Sequence, residues 1–69
     1  MVLIYGKASC PYTDAAKEDY KRRQIPFEYI DVKKSAADLD RMLVLSQGRR
    51  AVPVIVDDAG VVTIGFGGT

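Results

Sequence analysis

Val2-Leu3-Ile4-Tyr5 is an unbroken apolar run closed by Gly6, which reads as a strand buried on both faces rather than one alternating between core and water. Such a strand needs cover on both sides of its sheet. The chain has 69 residues, and at that size folding buries only about 60% of the surface the unfolded chain exposes. One domain spanning residues 1–69 is expected, with no repeat, linker or low-complexity stretch to divide it.

The rest of the pattern supplies the cover. From Pro11 to about Arg23 there is no Gly and no β-branched run; Tyr12, Ala16 and Tyr20 recur at i, i+4, and Pro11 suits a first helical turn. Phe27-Glu28-Tyr29-Ile30-Asp31-Val32 is rich in aromatic and β-branched residues and predicts a second strand. Ser35 is a good N-cap with Asp38 three residues on; Leu39, Met42 and Leu43 form an apolar stripe, and Gly48 is placed to end that helix. Val54-Ile55-Val56 turns at Asp57-Asp58-Ala59-Gly60 into Val61-Val62-Thr63-Ile64, a hairpin. The order is β-α-β-α-β-β. The first two strands, joined by a helix, are expected to be parallel and the last two antiparallel, giving a four-stranded mixed sheet of the α/β class. That is the thioredoxin-like arrangement.

Composition removes several function classes. Hydrophobic residues at 48% and charged residues at 28% describe a globular chain, not a disordered or fibrous one. The formal net charge is +1 with no block of like charges, which argues against nucleic-acid or membrane-surface partners and for small-molecule or protein ones. No apolar run approaches the roughly 20 residues of a membrane helix, and the amino terminus enters the first strand without a basic leader. A cytoplasmic location is expected. With one Cys and no His, there is no intramolecular disulfide, no Ser-His-Asp or Cys-His chemistry, and little basis for a metal site. Chemistry must use Cys10, carboxylates or a bound cofactor.

Cys10 follows a strand and directly precedes Pro11, so it is placed at the N-cap of the first helix. There the free N–H groups and the positive end of the macrodipole favour a thiolate over a thiol of pKa about 8.5. Lys7 adds a second positive field. A lone Cys also reads as a small buried hydrophobe; strand, Lys, Cys and Pro in that order favour the activated thiol.

Lys7-Ala8-Ser9-Cys10-Pro11-Tyr12 resembles the active-site stretch of glutaredoxins, Ala51-Val52-Pro53 resembles their Thr-Val-Pro turn, and Gly67-Gly68 resembles the Gly-Gly pair after the last strand, a register for which Gly65 competes with Gly67. Within the superfamily the chain is also similar to a short bacterial group called UXX-star. Its ending looks like Ile64-Gly65-Phe66-Gly67-Gly68-Thr69, and some members carry selenocysteine where this chain has Cys10.

The resemblance implies a catalytic Cys10, auxiliary roles for Pro11 and Thr13, and glutathione as co-substrate with no tightly bound cofactor. Lys7 would meet the glycine carboxylate of glutathione. The backbone of Val52, before a cis Pro53, would pair with its cysteinyl part, and Gly67 and Gly68 would border it. Tyr12 would line the groove or simply pack; Arg49 and Arg50 would hold a carboxylate or merely face a helix end. Thr13 stands where dithiol members carry a second Cys, so one-thiol exchange is the expected cycle. Thr13 reads either as a helix-surface residue or as a hydrogen-bond donor to the Cys10 sulfur.

The family continues past Gly-Gly into an acidic residue and a third helix, which meet the γ-glutamyl end of glutathione; this chain ends at Thr69. Without that helix one sheet face is expected to be bare, and a homodimer or larger homo-oligomer follows. The leading function is glutathione-dependent monothiol thiol–disulfide exchange. A non-catalytic glutathione or protein-thiol binding module, a thiol peroxidase and an iron–sulfur cluster carrier are the alternatives; the Cys-Gly-Phe-Ser motif of the last is absent.

Overall fold

A computed structural model describes residues 1–67. Its elements are β1 (Val2–Gly6), α1 (Pro11–Arg22), β2 (Phe27–Asp31), α2 (Ala36–Leu45), β3 (Val54–Val56) and β4 (Val62–Ile64). The sheet runs β2-β1-β3-β4, so the apolar run at the amino terminus occupies an interior strand, as its composition requires. β1 pairs parallel with β2, Val2 opposite Phe27 and Gly6 opposite Asp31, and antiparallel with β3, Ile4 opposite Ile55. β3 and β4 are antiparallel. The expected element order and thioredoxin-like α/β architecture are both present.

Alternation along β1 builds two cores. Val2 and Ile4 face α1, packing with Ile55 and Ala16, and Tyr20, Ile25 and Phe27 close around them. Tyr20 and Phe27 meet edge to face at 6.2 Å. Tyr5 faces α2, packing with Val32, Val54 and Met42, with Leu39 and Leu43 alongside. The inward stripe of α1 is Thr13, Ala16 and Tyr20; Tyr12 points outward and is 40% exposed, so the i, i+4 pattern that included it was displaced by one residue at its start.

Local chemistry sets the ends. The side chain of Ser35 caps α2 by accepting from the Asp38 N–H at 3.3 Å. The helix stops at Leu45, short of Gly48, because Ser46 is fully buried and its hydroxyl donates to the Arg49 carbonyl at 2.6 Å, bending the chain back. Gln47 and Gly48 then take positive φ, 57° and 87°, and the Gly48 N–H closes on the Leu43 carbonyl at 2.7 Å. In the hairpin turn, Asp57 Oδ1 accepts from the N–H groups of Ala59 (2.9 Å) and Val61 (3.0 Å).

One expectation about cover needs correction. The α1 side of the sheet is not bare in a single chain: Val2, Ile4 and Ile55 are 3%, 0% and 4% exposed. The segment after β4 supplies part of the reason. The Gly65 N–H donates to the Pro53 carbonyl at 2.7 Å, and Phe66 packs onto the Val2–Ile4–Ile55 cluster. Among the described residues the large hydrophobic side chains left exposed, Met1, Tyr12, Val44 and Val61, are not part of that cluster.

Candidate active site

Cys10 is held by the backbone on both sides. Its N–H donates to the Lys7 carbonyl at 3.2 Å, its own carbonyl accepts from the Asp14 N–H at 3.1 Å, and it is extended (φ −95°, ψ 116°) at the N-cap of α1 with Pro11 in the first turn. The residue is 6% exposed and counts among the buried core. Its hydrogen-bond acceptor is distant in sequence: the thiol donates to the Val52 carbonyl at 3.9 Å, a weak bond at the outer limit for sulfur.

Burial pushes the Cys10 thiol up, but the Thr13 N–H, the Thr13 hydroxyl, the Tyr12 N–H and the charge of Lys7 together outweigh it, and the pKa lies below its ordinary value. With the thiol turned to Val52, the sulfur makes no capping hydrogen bond to the helix. The amides and hydroxyl act on it from within electrostatic reach, where they favour the anion. Thr13 is fully buried, not on the helix surface, and its hydroxyl has no hydrogen-bond partner.

The Val52–Pro53 peptide bond is cis, Pro53 is buried, and the Val52 carbonyl meets the sulfur. Val52 also lines a recess of about 240 Å³ against α2, floored by Val32, Leu39 and Met42 and rimmed by Lys7, Lys33 and Arg50. Among the described residues no carboxylate lies within ion-pair distance of those three cations. The rim thus gathers three cations in a recess that shares Val52 with the reactive thiol. A larger recess, about 410 Å³, lies against Val2, Tyr20 and Asp57 and includes none of these groups.

The structure brings Cys10, Lys7, Thr13, Val52 and Pro53 together. Arg50 joins them on the recess rim, whereas Arg49 is not among the residues lining it. Tyr12 contributes its N–H, with its ring exposed. Pro11 starts the helix. Gly67 is exposed with φ 65°, and it is Gly65 that bonds to the Pro53 carbonyl; Gly68 lies outside the described residues. Two residues were missed by sequence reasoning. Lys33 follows the carboxyl end of β2, the edge of a parallel pair where ligands gather, and that position was its available signal. Tyr29 has a buried hydroxyl without a partner. Burial, Asp31, Asp14 and the Cys10 sulfur raise its pKa, so it stays protonated beside the site; nothing in its sequence context marked it.

A lone activated Cys at the amino end of the first helix, facing a cis-proline turn, defines a redox site of the thioredoxin-like class. The glutaredoxin family model matches residues 2–61, and the chain belongs to that family. Solved structures agree. The chain is similar to the thioredoxin-like protein BC3987, with 33% identity, TM-score 0.84, and 97% of this chain and 89% of that one covered. It is also similar to a glutaredoxin from Archaeoglobus fulgidus, with 28% identity, TM-score 0.81 and coverage of 96% and 75%. The glutaredoxin-like NrdH-redoxin from Escherichia coli shows 26% identity, TM-score 0.81 and coverage of 96% and 83%. No curated protein matches. The chain is a thiol–disulfide oxidoreductase.

Proposed function

We propose that the chain reduces glutathione mixed disulfides by a monothiol cycle through Cys10. The observation that carries this reading is the cationic rim of Lys7, Lys33 and Arg50, which has no carboxylate partner among the described residues and shares its recess with Val52, whose carbonyl meets the Cys10 sulfur. A thiol bonded to Cys10 would lie along the Val52 backbone, and a carboxylate on its far end would meet the rim. Glutathione carries such a carboxylate.

The Cys10 thiolate attacks the glutathione sulfur of a mixed disulfide R–S–S–G. A bond forms between the Cys10 and glutathione sulfurs, the S–S bond of R–S–S–G breaks, and R–S⁻ leaves and takes a proton from solvent. A second glutathione thiolate then attacks the glutathione sulfur on Cys10, releasing oxidised glutathione and regenerating the Cys10 thiolate. Both steps use a low-pKa sulfur, first as nucleophile and then as leaving group. Thr13 at the second-Cys position leaves no resolving thiol in this chain.

The test is turnover of a glutathionylated peptide with glutathione and glutathione reductase, compared with a thioredoxin reductase system. Saturable turnover only in the first supports the proposal. Activity only in the second would overturn it in favour of the thioredoxin-like profile described for the Escherichia coli NrdH-redoxin.

A further inference from the structure

We infer that Ser46 is a positioning residue for substrate charge: its buried hydroxyl ties the end of α2 to the segment carrying Arg50 and Val52, and so holds Arg50 on the rim of the recess that shares Val52 with Cys10. The inference rests on Cys10 being the reacting thiol and not on glutathione being its substrate.

Three observations carry it. First, Ser46 is fully buried at the C-cap of α2, where an alanine would avoid the cost of taking a hydroxyl out of water. The hydroxyl has one proton and two carbonyls in reach, Leu43 at 3.4 Å and Arg49 at 2.6 Å, and the nearer one, across the turn, takes it. Second, the turn it closes is not one the backbone prefers. Gln47 sits at φ 57°, in the left-handed region that side chains disfavour, and Gly48 follows at 87°. The Gly48 N–H bond to the Leu43 carbonyl finishes the helix, and the Ser46 hydroxyl extends the closure to Arg49, the neighbour of Arg50. Third, the recess is built from the two parts that this bond joins. Leu39 and Met42 come from α2, and Arg50 and Val52 from the segment beyond the turn. At the other end of that segment the Gly65 N–H donates to the Pro53 carbonyl at 2.7 Å, so residues 49–53 are pinned at both ends.

The consequence is electrostatic and selective. A disulfide that carries a carboxylate gains from Arg50 as it approaches the thiolate, and an uncharged one does not. Loss of the Ser46 bond frees the segment at Arg49 and lets Arg50 leave the rim, while the Gly65 bond still holds Pro53. The preference for anionic substrates falls, and the reactivity of the sulfur is kept.

The experiment is stoichiometric exchange of the full chain with two small aromatic disulfides: dithiobis(nitrobenzoate), with a carboxylate on each ring, and uncharged dithiodipyridine. In both, the Cys10 thiolate attacks one sulfur, the S–S bond of the probe breaks, and the released aromatic thiol is followed by its absorbance. Cys10 is the single thiol of the chain, so the ratio of the two rate constants cancels its pKa and reads the charge around it. Ser46→Ala should lower the ratio of anionic to neutral rates roughly two- to fivefold, the scale of one solvent-screened charge contact, and Arg50→Ala should lower it as much. The double variant should fall no further than Arg50→Ala alone, a result that a merely structural role for Ser46 would not produce. Thermal melting verifies folding, and Ser46→Gly takes the place of Ser46→Ala if the latter does not fold. An unchanged ratio in the folded hydroxyl-free variant would overturn the inference, as would Ser46→Ala and Arg50→Ala effects that multiply in the double variant.

Discussion

Cys10 and Val52 are 42 residues apart in sequence, yet the Cys10 thiol donates to the Val52 carbonyl at 3.9 Å. The pairing of β1 with β3 explains the approach. Tyr5 stands opposite Val54, so the loop leaving β1 and the turn entering β3 emerge at the same end of the sheet. The strand order thus brings the Cys10 sulfur and the Val52 backbone together.

Cys10→Ser should abolish disulfide exchange while preserving the fold. Ser is close to Cys in size and is itself a good N-cap, so the helix start does not suffer. Turnover in the coupled assay should fall to background, with an unchanged or slightly raised melting temperature. Retained turnover would place the chemistry elsewhere.

The depressed Cys10 pKa is also a statement about stability. The folded state binds its thiol proton less tightly than the unfolded chain, so the stabilisation is fully present above the unfolded pKa. It is lost as pH falls through the lower folded value. Denaturant midpoints of the wild type should therefore rise, relative to Cys10→Ala, as pH increases across that interval. A difference that shrinks with rising pH would contradict the sign.

Much of this architecture was legible in the sequence because the signals were local. Val2-Leu3-Ile4-Tyr5 could only be an interior strand, Pro11 and Ser35 mark helix starts by their own chemistry, and Asp57 to Gly60 makes its own turn. The misses depended on tertiary contacts. Whether Tyr12 or Thr13 faced inward depended on where Gly6 left a gap in β1. The cover supplied by Phe66 depended on a bond from Gly65 to Pro53 across the chain. Lys33 joined the site only because α2 folds its floor beneath it.

Neutralising the recess rim should weaken substrate binding more than chemistry. Lys33→Ala and Arg50→Ala should each raise KM for a glutathionylated peptide several-fold with kcat largely kept, since neither touches the sulfur. Raising ionic strength should narrow the gap to wild type, because exposed charges are screened. A fall in kcat at unchanged KM would instead place them in the chemical step.

Gly6→Ala should cost about 1–3 kcal/mol in the wild type by overpacking Thr13. In a Thr13→Ala background the two closest contacts, Cγ2 and Oγ1, are gone and only Cβ at 3.1 Å remains. The same substitution should then cost much less, and urea denaturation of the four variants in a double-mutant cycle measures the coupling. Additive costs would mean that Gly6 is there for another reason.

The account turns on a Cys10 thiolate that forms a mixed disulfide with glutathione, and mass spectrometry of the intact chain after exposure to oxidised glutathione tests it most directly. One glutathione adduct, located on Cys10 and removed by reduced glutathione, is the predicted result. A chain that alkylates readily at Cys10 yet gains no adduct would contradict it.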